Sequence, residues 1–188
     1  MKVCYFDTET TGLDPIKNDI IQIAGIIEID KKVEGEFKFN CQPFSYENIS
    51  QEALNVHGMS IDDIKKFDKP QVVYNNLINL FSRYLNRYDC NDKFYPAGQN
   101  IRFDIDFLKQ FFIKNRDKYY GSWFNYRAID LISLSAILEY TGSISVNNLK
   151  LETIAEYFGY ELKAHDALED IKMTRKLIRE IIEKYINT

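Results

Sequence analysis

The chain has 188 residues and a formal net charge of −4; 45% of its residues are hydrophobic and 28% are charged. This composition is typical of a soluble globular protein, and a chain of this length can bury a core without disulfides or structural metals. The acidic balance argues against a protein that grips long duplex DNA through a basic face. The three cysteines are an odd number without CxxC spacing, so we expect neither a disulfide framework nor a zinc site.

The first forty residues have the pattern of three β-strands. Alternation of side chains along Val3–Glu9 and along Gly35–Cys41 predicts two β-strands. Between them, Ile20–Ile29 is a β-branched run followed by a turn at Asp30–Lys32. Short connections between successive strands favour an antiparallel meander.

Beyond residue 50, helical periodicity replaces alternation. Apolar residues at three- and four-residue spacing predict an amphipathic helix that starts after Pro70 and includes Val73, Leu77, Leu80, Tyr84 and Tyr88. A short strand is predicted at Phe94–Gly98. Further helices are predicted at Ile101–Asn115, Leu131–Tyr140, Leu151–Phe158 and Asp166–Tyr185. A meander followed by alternating strands and helices predicts an α/β fold with one mixed sheet flanked by helices.

Two carboxylates lie at the end of the first predicted strand. Asp7 and Glu9 are two residues apart, so their side chains point to the same face, about 6.6 Å from each other along the strand. That separation can bracket two metal ions held roughly 3.5–4 Å apart. The segment Asp-Thr-Glu-Thr-Thr-Gly is also a good turn sequence, so the pair alone leaves both interpretations open.

A third carboxylate, Asp104, lies within an apolar helical stripe. The stripe contains Phe103, Phe107, Leu108 and Phe111. An aspartate among apolar side chains is costly unless it is paired or bound to metal. Asp106 falls on the opposite side, where a solvated surface acid is expected.

The last predicted helix begins in a segment rich in titratable residues. Asp166, with Glu169 three residues later, resembles a capping box and is interpreted as an N-cap rather than a ligand. Asp170 lies on the flank of the buried face. His165 lies just before the helix, where its side chain could approach a substrate, although a lone histidine there is more often a surface residue.

Taken together, three motifs resemble those of the DEDD 3'–5' exonucleases. Residues 6–13 (FDTETTGL) resemble the first motif, residues 99–108 (QNIRFDIDFL) the second, and His165 with Asp170 five residues later the third motif in its histidine form. Residues 56–59, 130–131 and 151–155 are also similar to the group that contains the proofreading exonuclease subunit of bacterial replicative DNA polymerase III. The resemblance covers nearly the whole chain and identifies residues 1–188 as a single exonuclease domain.

The resemblance implies an RNase H-like fold with a mixed five-stranded sheet, and a phosphodiesterase that releases 5'-mononucleotides from a 3' end. It implies two Mg²⁺ ions, with Mn²⁺ as a substitute, because carboxylates suit hard cations. By resemblance Asp7 bridges both ions, and Glu9 and Asp170 hold the ion on the nucleophile side. Asp104 supports the site near the other ion. His165 is then the general base on the attacking water.

The resemblance also implies a set of substrate contacts. The terminal nucleotide would meet Thr10, Thr11, Gly12 and Leu13, the last as an apolar wedge, with His57 and Gly58 near its sugar and base. Asn100 and Phe103 of the second motif complete the set of expected substrate-binding residues. Gln99 departs from the pattern, because many relatives carry His there, and this departure concerns substrate contact rather than catalysis.

The expected substrate is a single-stranded or frayed 3' end, with DNA favoured over RNA, and a DNA polymerase is a candidate partner. The longest apolar run is far shorter than the roughly 20 residues of a membrane span. The first residues also become acidic too early for a signal peptide. We therefore expect a cytoplasmic protein without a membrane partner.

Three other classes of protein fit these residues less well. Asp-Thr-Glu-Thr is similar to the nucleophile loop of haloacid-dehalogenase phosphatases, but Glu9 replaces the second aspartate and no partner motif follows. An endonuclease of the RNase H type would not explain His165 beside Asp170. An inactive exonuclease-like module that binds nucleic acid or a polymerase is disfavoured because all five catalytic positions are filled.

Overall fold

A computed structural model describes residues 1–162 and 166–186. In the described part of the chain, five strands form one sheet in the order β3-β2-β1-β4-β5. The strands are β1 (Lys2–Thr10), β2 (Ile20–Ile29), β3 (Lys32–Asn40), β4 (Tyr95–Gly98) and β5 (Ile129–Asp130). β1, β2 and β3 are antiparallel, whereas β4 and β5 run parallel to β1. The predicted mixed five-stranded sheet is confirmed.

Seven α-helices flank this sheet in the described residues. They are α1 (Gln51–His57), α2 (Ile61–Ile64), α3 (Pro70–Phe81), α4 (Ile101–Lys114), α5 (Leu131–Tyr140), α6 (Leu151–Tyr157) and α7 (Ala167–Ile181). A 3₁₀ turn follows α4 at Tyr120–Ser122, and a π-helical turn at Ile182–Ile186 follows α7. None of the described helices has the length and apolarity needed to cross a bilayer.

Two of these helices were missed by the sequence analysis, and one ends earlier than predicted. α1 and α2 are short and bury few side chains, so their periodicity is weak; their signals are the capping serines, Ser50 and Ser60, which accept hydrogen bonds from backbone N–H groups. The third helix ends at Phe81, and Tyr88 beyond it is 90% exposed. The prediction that this helix continues through Tyr84 and Tyr88 is therefore wrong.

Alternation along β1 divides the core into two halves. Cys4 and Phe6 belong to the half packed with α3 and α4, whereas Val3 and Tyr5 belong to the half packed with α5, α6 and α7. Because successive side chains point to opposite faces, Asp7 and Glu9 continue the α7 side of the sheet.

A buried ion-pair network fastens α7 to the sheet. The Glu28 carboxylate on β2 is 6% exposed and lies 2.6 Å from the Arg175 guanidinium and 3.5 Å from that of Arg179. Breaking a buried pair by removing one partner is strongly destabilising, since it leaves an uncompensated charge. The network therefore fixes how α7 lies along the sheet.

The short strand β4 leaves the C-terminal end of β1 without a strand partner on that side. The pairing of these strands runs from Val3 to Tyr5, and β4 ends at Gly98. Gly98 lies so close to its surroundings that a Cβ there would be 2.7 Å from the Ile101 side chain and 3.0 Å from the Phe6 carbonyl oxygen. This close approach lets α4 begin directly beside β1.

Candidate active site

Asp104 reaches β1 where the β4 pairing has ended. The Thr8 backbone N–H and the Thr8 hydroxyl both donate to Asp104 Oδ1, at 2.9 and 2.7 Å. Asp104 is 3% exposed, as its position in the apolar stripe predicts. Burial raises the pKa of Asp104 to about 7, although both hydrogen bonds from Thr8 favour the ionised form and oppose this increase.

Asp7 is the centre of a group of four carboxylates. Burial raises the pKa of Asp7 well above its usual range, and repulsion by Asp104, Glu9 and Asp170 raises it further, in that order. The four residues come from β1, from α4 and from the first turn of α7. The structure thus brings together the four acidic residues that the three motifs single out.

The start of α7 has the cap that the sequence predicts. Asp166 accepts hydrogen bonds from the backbone N–H groups of Leu168 and Glu169, which confirms its role as N-cap. Its other oxygen is 2.7 Å from the Lys38 ammonium on β3. His165, the remaining residue of the third motif, lies outside the described residues.

Asp106 differs from Asp104 in the way the helical phase predicts. Its side chain is 38% exposed and pairs with Arg102 at 3.1 Å and Lys109 at 3.5 Å along the same helix. Such exposed ion pairs contribute little to stability. Asp106 is therefore a surface acid.

The donor chemistry of the four carboxylates fits hard divalent cations, which prefer oxygen ligands. A cation among them would offset the repulsion that raises the pKa of Asp7. Within residues 1–162 and 166–186, however, no group of three or more His, Cys, Asp or Glu side chains is already arranged to hold a metal ion. The support for metal binding is thus that four negatively charged side chains lie close together. To coordinate an ion, these side chains would have to adjust their positions.

The loop after β1 presents an exposed apolar side chain from a well-held backbone. The Thr10 hydroxyl donates to the Gly12 carbonyl at 2.7 Å, and Thr11 exchanges two hydrogen bonds with Asp19, both at 2.9 Å. Asn18 packs so closely on Gly12 that a Cβ there would lie 2.6 Å from its side chain. Leu13 at the tip is 84% exposed.

His57 and Gly58 end the helix beside this loop. The Ser50 N–H at the start of α1 donates to the Thr11 carbonyl at 2.8 Å, which attaches the helix to the loop. His57 is buried, its Nδ1 accepts from the Met59 N–H at 3.1 Å, and burial lowers its pKa. Gly58 ends α1 with a φ of 70°, a left-handed conformation that suits glycine.

The second motif places its other residues around the start of α4. Asn100 is exposed, has a φ of 52°, and donates its N–H to Asp130 Oδ1 at 2.9 Å. Phe103 packs on Phe107 with ring centroids 4.7 Å apart. The Gln99 amide donates to the Leu149 carbonyl at 2.6 Å, so this departure from the family pattern contacts the segment before α6.

Two residues that support the site were missed by the sequence analysis. Thr8 holds Asp104, and Lys38 pairs with the cap of α7. Thr8 sits between Asp7 and Glu9, so its position was visible within the first motif, but its partner is 96 residues away along the chain. Nothing in the sequence marks Lys38.

A family model described as Exonuclease (RNase_T) matches residues 4–178, and the chain belongs to this family. The predicted RNase H-like fold and the predicted exonuclease family are confirmed.

Three relatives show how this domain occurs in other proteins. The chain is 27% identical over 180 residues to PolC-type DNA polymerase III of Caldanaerobacter subterraneus subsp. tengcongensis, covering 95% of this chain and 11% of the polymerase. It is 25% identical over 194 residues to ribonuclease T of Wigglesworthia glossinidia brevipalpis, covering 95% and 83%. It is 35% identical over 108 residues to DNA polymerase III subunit epsilon of Rickettsia typhi, covering 57% and 43%. The chain thus spans about a tenth of the PolC-type polymerase.

Solved structures of E. coli exonuclease I share the fold. The complex with a dT13 oligonucleotide superposes with a TM-score of 0.78 at 21% identity, over 98% of this chain and 41% of that one. The zinc-bound form of its complex with single-stranded DNA gives a TM-score of 0.82 at 19% identity, over the same shares of the two chains.

Proposed function

We propose that the chain is a metal-dependent 3'–5' exonuclease of the histidine (DEDDh) subfamily, which releases 5'-mononucleotides from single-stranded or frayed 3' ends. The observation that carries this proposal is the convergence of Asp104, Glu9 and Asp170 on Asp7, whose pKa is raised by burial and raised further by their charges. Four carboxylates gathered at the end of a strand destabilise one another unless a cation neutralises them.

In this proposal the four carboxylates hold two Mg²⁺ ions, with Mn²⁺ as a substitute. When bound, such ions lower the pKa of water and stabilise the leaving oxygen. Asp7 would help to hold both ions, Glu9 and Asp170 would hold the ion that activates the water, and Asp104 would support the other. Thr8 keeps the Asp104 carboxylate oriented through its two hydrogen bonds.

The proton of the attacking water goes to His165. In the sequence it immediately precedes Asp166, the cap of α7, and Asp170 follows five residues after it. A histidine with an ordinary pKa of about 6.5 is mostly neutral at neutral pH and can accept a proton.

The loop after β1 supplies the contacts to the terminal nucleotide. Backbone at Thr10, Thr11 and Gly12 lines the terminal nucleotide, and the exposed Leu13 acts as a wedge beneath its base. His57, Gly58, Asn100 and Phe103 complete the substrate-binding set. Separating a paired terminus costs stacking energy of about 1.4 kcal/mol per step, so unpaired ends are preferred.

DNA is the favoured substrate, because the relatives include DNA polymerase III proteins and the fold is shared with an enzyme bound to single-stranded DNA. A DNA polymerase is accordingly the proposed protein partner. RNA is a second candidate, since the ribonuclease T relative is matched over 83% of its length.

A digestion panel tests this proposal directly. The substrates are 5'-labelled single-stranded DNA, duplex DNA, duplex DNA with a 3'-terminal mismatch, and RNA, each with Mg²⁺ or with EDTA. We expect a ladder shortened from the 3' end, only with metal, and faster on mismatched than on matched duplex. Leu13→Ala should reduce this activity more on the matched duplex than on the single strand.

Cleavage of a circular single strand at a rate similar to that of the linear strand would contradict an end-acting site. Preference for RNA over DNA of the same sequence would replace the DNA assignment with the second candidate. Equal cleavage in EDTA would exclude metal dependence.

A further inference from the structure

A cavity lies against the face of α4 that carries Arg102 and Lys109, and none of the four carboxylates lines it. Its volume is about 450 Å³, within the usual range for small-molecule sites. Helix α4 forms one wall, and the segment between α4 and β5 forms the other. We call this cavity the α4 groove. Its lining includes Arg102, Lys109, Lys118, Tyr120, Phe124 and Tyr126.

Helix α4 presents the groove and Asp104 on different faces. Arg102, Ile105, Lys109 and Ile113 line the groove at spacings of three and four, which form one stripe of a helix. Asp104, two residues after Arg102, points instead toward Thr8 on β1. The groove and the Asp104 carboxylate therefore lie on different faces of α4.

The groove is basic although the whole chain is acidic. Arg102, Lys109 and Lys118 line it together with one acid, Asp117, and Arg102 and Lys109 also pair with Asp106. Asp117 already accepts from the Tyr74 hydroxyl at 2.6 Å and lies 3.6 Å from Arg87. Within the described part of the chain, Lys118 makes no ion pair at all, so its charge is available to an anion.

Aromatic rings form the opposite wall. Tyr126 is 91% exposed, and the Tyr120 ring stacks on Phe124 with centroids 4.8 Å apart. The Tyr120 hydroxyl is buried and has no hydrogen-bond partner among the described residues. The exposed Tyr126 ring therefore offers a face for stacking.

We propose that the α4 groove binds a nucleotide unit, with the base on Tyr126 and the phosphate on Lys109 and Lys118. An aromatic platform beside cations is the combination that single-stranded nucleic acid requires. The unit comes either from the strand behind the 3' end or from a free mononucleotide. The strand source rests on the proposed exonuclease function, whereas binding of the nucleotide unit does not.

The test is a binding measurement in EDTA, which prevents metal-dependent cleavage. Fluorescence anisotropy gives the affinity of labelled dT10, and calorimetry gives that of dTMP, for wild type, Tyr126→Ala and Lys118→Ala. Tyr140→Ala is the matched control, because Tyr140 is 93% exposed and lies outside the groove. Both tyrosines are surface residues, so we expect thermal unfolding of these variants to match wild type.

We expect Tyr126→Ala to weaken dT10 binding by about 5-fold or more, since stacking of one base on a ring contributes at least this much. Lys118→Ala should weaken it less at high salt than at low salt, and Tyr140→Ala should bind as wild type does. A matching loss for dTMP identifies a site that also takes free nucleotides, and a loss for dT10 alone identifies the strand as the source.

Equal binding of both ligands by wild type, Tyr126→Ala and Tyr140→Ala, or no binding by wild type, would overturn the proposal. The exonuclease proposal fails separately, when wild type with Mg²⁺ leaves linear dT10 intact. The two failures are therefore distinguishable.

Discussion

Thr8 and Asp104 are 96 residues apart in sequence and are joined by two hydrogen bonds to a single carboxylate oxygen. The backbone N–H and the hydroxyl of Thr8 both donate, where β4 has ceased to pair with β1. At this edge of β1, the backbone N–H of Thr8 thus donates to a side chain of α4 instead of to a neighbouring strand. This exchange brings the second motif to the first.

We expect Thr8→Val to reduce turnover and metal affinity by about 10–100-fold, the usual effect of removing a group that orients a metal ligand. Valine keeps the shape and the backbone N–H but removes the hydroxyl bond of 2.7 Å. Thr8→Ser, which retains the hydroxyl, is the control and should remain close to wild type. Steady-state kinetics and Mn²⁺ titration of both variants measure the effect; equal loss in both would show that packing, not the hydrogen bond, matters.

The stability of the metal-free protein should fall as pH rises from about 4 to 7. The pKa of Asp104 is about 7 in the folded protein, against roughly 3.9 when unfolded. Between these values the folded state binds a proton that the unfolded state does not, so stability from this group is present at low pH and lost as pH rises through 7.

Thermal unfolding in EDTA measures this, since each kcal/mol moves the midpoint by about 2–4 °C in a domain of this size. Asp104→Asn removes the titrating group and should flatten the slope relative to wild type. An identical slope in the variant would mean that other groups govern the pH dependence.

The two neighbouring acids of α4 should behave differently. Asp104→Asn should be nearly inactive, because Asp104 is buried against Thr8 within the carboxylate group. Asp106→Asn should retain most activity, since its partners Arg102 and Lys109 are surface residues of the same helix. Rates of 3'-end digestion by the two variants, at equal thermal stability, decide this; the reverse ranking would contradict the placement of the site.

Much of this site could be predicted from local patterns. The two-residue spacing in β1 placed Asp7 and Glu9 on one face, and helical phase separated Asp104 from Asp106, because both patterns depend only on nearby residues. The bonds of Thr8 to Asp104 and of Lys38 to Asp166 join distant segments, and no periodicity encodes them. The extent of α3 was also overestimated, since apolar spacing continues at Tyr84 after the helix has ended at Phe81.

His165→Ala should lose about 10²–10⁴ in turnover, the typical contribution of a general base, while still binding Mg²⁺ and single-stranded DNA. The wild-type rate should fall in acid as the imidazole is protonated. At saturating metal, the pH–rate profile of the variant should lack this acid-side decrease. Comparing the two pH profiles separates His165 from protonation of the carboxylates. Near-full activity in the variant would mean that another base takes the proton.

Calorimetric titration with Mn²⁺ tests the central claim, that the carboxylates around Asp7 form a two-metal site, most directly. Wild type should bind two ions, and Asp7→Asn should lose this binding and all cleavage. Asp7→Asn should also unfold at a higher temperature than wild type in EDTA, because it relieves the repulsion from Asp104, Glu9 and Asp170. Asp106→Asn should bind as wild type does. Normal Mn²⁺ binding by Asp7→Asn would contradict the claim.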